Sequence, residues 1–249
     1  MSGHSKWKTN KGKKALADAK KGAAYTKIIK EITLAAREGG DPDTNPKLRT
    51  MMLRAKELNM PSDNVKMAIK RGTGELPGVI YEGINYEGDG PGGVAVLIEA
   101  ITDNKNRTTA EIRNIMNKKN GSLGGSVAWM FTMKGLITIA KDVIAEDELM
   151  NLVLEAGAED LKAEGDAYEV FSKPQDLEKV KSALTAKKIK WEEAETSMIP
   201  SSTIKLNAQD AKSILALVEA LEEHDDVQAV YSNFEIPDEI MDQISAEEE

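Results

Sequence analysis

Nine lysines lie between residues 1 and 30, at positions 6, 8, 11, 13, 14, 20, 21, 27 and 30, against a single acid, Asp18. Trp7 stands between the first two. Ammonium groups at this density attract polyanions, and an aromatic ring among them can stack on a base. Packing of Trp7 onto the helix that follows is an equal alternative. The whole chain, by contrast, is acidic, with net charge −9 over 249 residues. Residues 1–78 hold 17 Lys+Arg and 8 Asp+Glu, net +9, so the rest of the chain carries net −18. Such segregation implies one phosphate-facing part and one part turned to other surfaces.

Other chemistries find little support. There is no cysteine, hence no disulfide and no thiolate metal ligand, and with only two histidines no metal site or cofactor is expected. No Ser/His/Asp set stands out. The motif G-x-G-x-x-G occurs at Gly88, Gly90 and Gly93, but a β-branched run follows it where a dinucleotide fold needs a helix. A hairpin turn is the better reading. Residues 121–125 are also glycine-rich, without the GK[ST] of a phosphate loop. The paired acids Glu192-Glu193 and Asp225-Asp226 read as solvated surface. The chain is therefore read as non-enzymatic. No apolar run approaches the roughly 18 residues of a membrane span, and the basic start lacks a signal-peptide core. A cytoplasmic protein with no membrane partner and no small-molecule substrate is the expectation.

The elements that must carry the basic residues follow from periodicity. Over residues 23–38, Tyr25, Ile28, Ile29, Ile32, Ala35 and Ala36 fall on one helical face, with Lys20, Lys27, Lys30 and Arg37 nearly opposite. Gly39-Gly40 stops this helix. Asn45-Pro46 supplies an N-cap and a proline at the first helical position of a second helix, and Pro61-Ser62 opens a third. Beyond a linker at 73–78 the period changes. Strands are expected at 79–86 and 94–101, a helix at 108–118 and a buried strand at 127–131. A β-α-β-β-α-β order then runs from 136 to 196, the ferredoxin-like pattern. A strand at 203–206, a helix at 208–222 and a strand at 227–231 complete an interrupted domain. The expected class is α+β: an N-terminal three-helix domain (1–78) plus two ferredoxin-like α/β domains. One is discontinuous (79–131 with 200–240), and the last (132–199) is inserted into this middle one.

The segments GHSKW, DAKKGAAYTKIIKEI, AAREGG, NMPSDNVKMAIKRGTGE, YEGDGPGGVAVLIEAITDNKNRT, GGSVAWMFTMKG, SMIPSS and DDVQAVYSNFEIP span nearly the whole chain. In them the sequence resembles the YebC/PmpR family, which includes the mitochondrial translational activator of cytochrome c oxidase. The resemblance implies three domains with the last inserted in the middle one, and a cytoplasmic regulator of transcription that binds DNA. It also implies an alternative, a ribosome-associated translation factor that relieves stalling. Family members usually read N-I-K-H-R-K where this chain has Thr9-Asn10-Lys11-Gly12-Lys13-Lys14. Lysine meets phosphate as a point charge without the bidentate fork of arginine, so this arm suits gripping phosphate more than reading bases.

The candidate nucleic-acid-binding residues are His4, Lys6, Trp7, Lys8, Lys11, Lys13, Lys14, Lys20, Lys21, Lys27, Lys30 and Arg37. Their partner is DNA, or else ribosomal or messenger RNA on the ribosome. No helix-turn-helix with an Arg/Asn/Gln-rich recognition helix is apparent, so charge supports binding without specifying sequence.

Overall fold

The computed structural model of the chain describes residues 17–247. It is a mixed α+β protein, with helices at the N-terminal end followed by two four-stranded antiparallel sheets. The chain divides into two units. Among the described residues, 17–126 join 208–232 in the first, and 127–207 join 233–247 in the second.

In the first unit, helix α1 (Ala17–Ala36) extends farther toward the N-terminus than its apolar period indicates. Ile28, Ile32, Ala35 and Ala36 are buried against Leu48, Ala55, Met60 and Ala68 from the next two helices. These are α2 (Pro46–Glu57) and α3 (Ser62–Gly72). Asn45 caps α2, its side-chain oxygen accepting from the Leu48 amide at 3.1 Å. Its amide nitrogen also donates to the carbonyls of Ala35 and Gly39, both at 2.8 Å, and so fastens the end of α1 to the start of α2. The Tyr25 hydroxyl reaches the carbonyls of Leu58 and Asn59 at the other end of α2. Both terminal gaps in the helical hydrogen-bond ladder are thus filled from α1 or its connecting loop.

Gly72 lets α3 lie directly on α1. A Cβ there would collide with the Thr33 carbonyl oxygen and the Ala36 side chain. Gly72→Ala is therefore expected to lower stability by about 1–3 kcal/mol, the usual cost of overpacking. Urea denaturation of the variant beside the parent measures it, and an unchanged midpoint would contradict the close approach.

Strands β1 (Glu82–Gly90) and β2 (Val94–Thr102) form a hairpin in register from Glu82↔Thr102 to Gly90↔Val94. Gly92 and Gly93 turn it, both with φ of +74°, a conformation glycine adopts without a Cβ penalty. The G-x-G-x-x-G spacing is thus part of a β-turn, as its neighbours imply. Helix α4 (Lys105–Lys118) follows, then the short β3 (Ser122–Leu123). The chain returns through α7 (Ala208–Glu222) and β9 (Val227–Ser232) to finish the sheet in the order β3-β1-β2-β9. A Cβ on Gly88 would meet Met116 of α4, and one on Gly90 would meet Ile214 of α7. These bare positions let both helices close on that face of the sheet.

In the second unit, β4 (Phe131–Ala140), α5 (Glu146–Glu155), β5 (Ala158–Glu164), β6 (Ala167–Ser172), α6 (Leu177–Ala186) and β7 (Glu193–Pro200) run in the expected β-α-β-β-α-β order. The sheet order is β5-β6-β4-β7. Ile137, Ile139, Leu161, Tyr168 and Val170 pack beneath Leu149 and Val153 of α5 and Val180 and Leu184 of α6. Strands β8 (Ile204–Lys205) and β10 (Phe234–Glu235) pair in parallel, and α8 (Asp238–Glu247) ends the described chain.

Two local expectations change. Residues 127–131 do not form a buried strand: Ala128–Met130 is a single 3-10 turn and Trp129 is 74% exposed. The apolar run there is real, but the strand it announces begins only at Phe131. The strand expected at 203–206 pairs with β10, not with the hairpin sheet.

Candidate nucleic-acid interface

Of the twelve candidate residues, His4, Lys6, Trp7, Lys8, Lys11, Lys13 and Lys14 lie outside the described residues. Lys20 and Lys21 fall on the first described turns of α1. Arg37, at the end of α1, is exposed and donates to the Tyr81 carbonyl at 2.8 Å.

Lys27 and Lys30 are placed differently from a solvated phosphate-facing row. Lys27 donates to the Glu222 carbonyl, at the last residue of α7, at 2.7 Å. Lys30 is 7% exposed and donates to the Asp225 carbonyl at 2.8 Å and to Asp226 Oδ1 at 2.6 Å. Two cations of α1 thus occupy the C-terminal end of α7, where unsatisfied carbonyls and the helix dipole favour positive charge. Burial lowers the Lys27 pKa, against the pull of Glu222 and Asp225. The carbonyls that receive these lysines lie 195 residues away in sequence.

Asp226 is the centre of this arrangement. It is 4% exposed, contrary to its reading as solvated surface. Besides Lys30, it accepts from Thr108 Oγ1 at 2.6 Å and from Arg107 Nη2 at 2.9 Å. Burial alone would raise its carboxyl, but the hydrogen bonds from Lys30, Thr108 and Arg107 outweigh it and hold it well below the usual carboxylate range. One buried carboxylate therefore joins α1, α4 and the turn before β9.

Beside it the Asp226 amide donates to His224 Nδ1 at 3.1 Å. The ring proton then sits on Nε2, which donates to Glu111 Oε2 at 2.9 Å. Glu111, His224 and Asp226 bring ligand-type atoms within 4.8 Å of one another. A metal would need the Nε2 lone pair that this tautomer lacks, and Asp226 already answers two cations. The set fits a hydrogen-bonded cluster, not a metal centre. It lines an open cleft of about 690 Å³, together with Thr26, Tyr81 and Asn114. Thr108 and Arg107 give no sequence signal of this cluster, because Asp226, which both reach, lies at least 118 residues away.

A second, half-buried acid sits near α1. Glu99 of β2 accepts from the Tyr231 hydroxyl at 3.3 Å. Burial pushes its carboxyl up, with that hydrogen bond opposing. A folded pKa above the unfolded value means that the charged form costs stability above the folded pKa, and that this cost vanishes below the unfolded one. Glu99→Gln is expected to raise the urea midpoint at pH 7 and to lose this advantage as the pH falls through the folded pKa of Glu99. A parallel pair of curves from pH 7 to pH 4 would contradict this.

Outward cations remain on α2 and α3. Arg54 and Lys56 lie in the last turn of α2, and Lys70 and Arg71 in the last turn of α3. Arg54 is paired with Glu31 at 3.4 Å. Lys56, Lys70 and Arg71 extend the positive character of the leading segment onto the helical layer. Among the described residues no helix is long and apolar enough to cross a membrane.

Residues 5–75 match the family described as the TACO1/YebC protein N-terminal domain, and residues 81–234 match the TACO1/YebC second and third domain. A probable transcriptional regulatory protein of Desulforapulum autotrophicum is 55% identical over 245 residues, spanning 97% of this chain and 99% of that protein. A protein of the same description from Dictyoglomus thermophilum is 51% identical over 249 residues, 98% of this chain and all of that one. The crystal structure of a conserved hypothetical protein from Aquifex aeolicus has a TM-score of 0.77 at 42% identity, covering 90% of this chain and 94% of that chain.

Proposed function

The chain belongs to the TACO1/YebC family, and from that premise we propose that it is a non-enzymatic, cytoplasmic regulator of transcription that binds DNA through its basic leading arm. The observation that carries this reading is end-to-end identity above 50% with proteins named probable transcriptional regulatory proteins. Charge supports it physically. The positive residues are concentrated in 1–78, and Lys56, Lys70 and Arg71 continue them on the helical layer. We retain a three-domain division, 1–78, 79–131 with 200–240, and 132–199.

In this reading the arm residues His4, Lys6, Trp7, Lys8, Lys11, Lys13 and Lys14, with Lys20, Lys21 and Arg37, meet phosphates and one exposed base or groove edge. Lys27 and Lys30 serve the contact indirectly, by holding α1 on α7. Phosphate contacts position a protein without specifying sequence, so selectivity comes from DNA shape or from a protein bound alongside.

The test sets the full chain against a duplex promoter fragment, a scrambled duplex and purified ribosomes at one salt concentration. Preference for the promoter duplex supports the proposal. Co-sedimentation with ribosomes that depends on residues 1–30, without duplex binding, would overturn it in favour of a translation factor.

A further inference from the structure

The second unit carries its charge in two blocks of opposite sign. Residues 142–160, from the loop before α5 into β5, hold seven acids and no lysine or arginine. Residues 179–190, along α6 and the loop after it, hold five lysines and no acid. Two of the five are answered, Lys179 by Asp176 at 2.6 Å and Lys181 by Glu178 at 2.7 Å. Lys187, Lys188 and Lys190 are exposed, and among the described residues none of their ammonium groups has a hydrogen-bond or ion-pair partner. Glu192 follows them, so the loop 187–192 carries net +2 within an acidic unit.

Hydrogen bonds fix this loop. The Lys188 N–H donates to the Thr185 carbonyl at 2.9 Å and the Ile189 N–H to the Leu184 carbonyl at 3.0 Å, the pair of bonds that closes a helix C-terminus. Ile189 and Trp191 pack on the core beneath α5 and α6. The Glu192 N–H then donates to the Thr138 carbonyl of β4 at 2.8 Å. The apolar residues of the loop turn in and its lysines are left outside.

This closure places Lys188 at φ +59°, in the left-handed region. Among the described residues two other non-glycine residues have a positive φ, and both are asparagine: Asn59 after α2 and Asn120 after α4. Asparagine tolerates that conformation, whereas lysine incurs the Cβ penalty that glycine escapes. The helix dipole favours cations at a C-terminus, but its effect falls off within the last turn and does not account for Lys190.

We infer that Lys187, Lys188 and Lys190 form a second phosphate-binding site, which gives the second unit its own hold on the backbone of duplex DNA. The inference rests on the reading of the chain as a DNA-binding protein, and not on the arm. Ammonium groups on a fixed loop meet phosphates without the ordering cost of a free tether. The acidic block repels phosphate from α5, so the unit approaches a duplex by its α6 end.

The test measures affinity of the full chain for a promoter duplex across a salt series. Lys187→Gln, Lys188→Gly and Lys190→Gln together should weaken binding several-fold and reduce the slope of log affinity on log salt by about 0.9 for each phosphate released. Lys173→Gln, Lys179→Gln and Lys181→Gln together remove the same charge from the rest of this region and should leave the slope at the parent value. Lys188→Gly alone separates binding from folding. It relieves the left-handed lysine, so the urea midpoint should rise while DNA affinity falls; a raised midpoint with unchanged affinity would remove Lys188 from the site. A loop triple variant with the parent's affinity and slope, or equal losses in the two triple variants, would overturn the site. A slope flattened by the loop triple variant but not by changing Lys11, Lys13 and Lys14 to Glu would uphold the loop and overturn the arm. Absence of duplex binding in the parent would overturn both.

Discussion

Asp226→Ala is expected to lower stability by about 3–5 kcal/mol, the cost of removing one partner of a buried ion pair and leaving the other charge uncompensated. Lys30 and Asp226 are 9% and 6% exposed at their side chains, and their atoms are 2.6 Å apart. Alanine also strips the Thr108 hydroxyl and one N–H of Arg107 of their acceptor. Asp226→Asn keeps one acceptor, for Lys30, while removing the charge and the Oδ2 acceptor of Thr108 and Arg107, so its effect is smaller than that of alanine. Equilibrium urea unfolding of the two variants measures both, and equal effects would show that the acceptor kept for Lys30 contributes nothing without the carboxylate. Acid should act as the mutation does. The folded pKa of Asp226 lies below the unfolded value of about 3.9. Its contribution is therefore complete above that unfolded value and is lost as the pH falls from there through the folded pKa. In Asp226→Asn the stability curve should be flatter below pH 4 than in the parent.

The second large effect concerns the arm. Changing Lys11, Lys13 and Lys14 together to Glu should weaken duplex binding and flatten the dependence of log affinity on log salt, by about 0.9 for each phosphate the arm no longer neutralises. Two controls define the expectation. Lys173→Glu, on an exposed loop of the second unit, should leave the slope unchanged. Lys30→Met should alter stability far more than slope, because Lys30 is committed to Asp225 and Asp226. An unaltered slope in the triple variant would remove the arm from the DNA contact.

What is legible in the sequence divides along a physical line. Sidedness of an element is written locally, in the spacing of its apolar residues. Tyr25, Ile28, Ile29, Ile32, Ala35 and Ala36 share one face by their spacing, and they form the helical core with α2 and α3. Asn45 has the sequence context of a cap and is one. The bounds 146–155 and 208–222 agree with α5 and α7, because apolar periods and breakers coincide there. Partnership across the chain is not written locally. Lys30 looks like a solvated cation because its counter-charge is 196 residues away. Asp226 looks like surface because adjacent acids usually are. Trp129 sits in an apolar run that reads as a strand, yet the backbone makes a 3-10 turn there and leaves the ring exposed. As for the candidate site, its lysine density is plain, but only the fold distinguishes cations free to meet phosphate from cations spent on a helix end.

The clamp between α1 and α7 also carries a schedule. Lys27 and Lys30 leave the ribosome 195 residues before the carbonyls that receive them. At about 5–20 residues per second this is a wait of about 10–40 s. Throughout that interval the nascent helix exposes two more cations than the finished protein does, and β2 lacks its neighbour β9. The growing chain is therefore at its most adhesive toward polyanions while still attached to a particle made largely of RNA. Only the arrival of residues 222–226 withdraws that charge. Completion of synthesis is thus the event that sets the final electrostatic character of the N-terminal layer, and a chain truncated before residue 222 would keep the adhesive form.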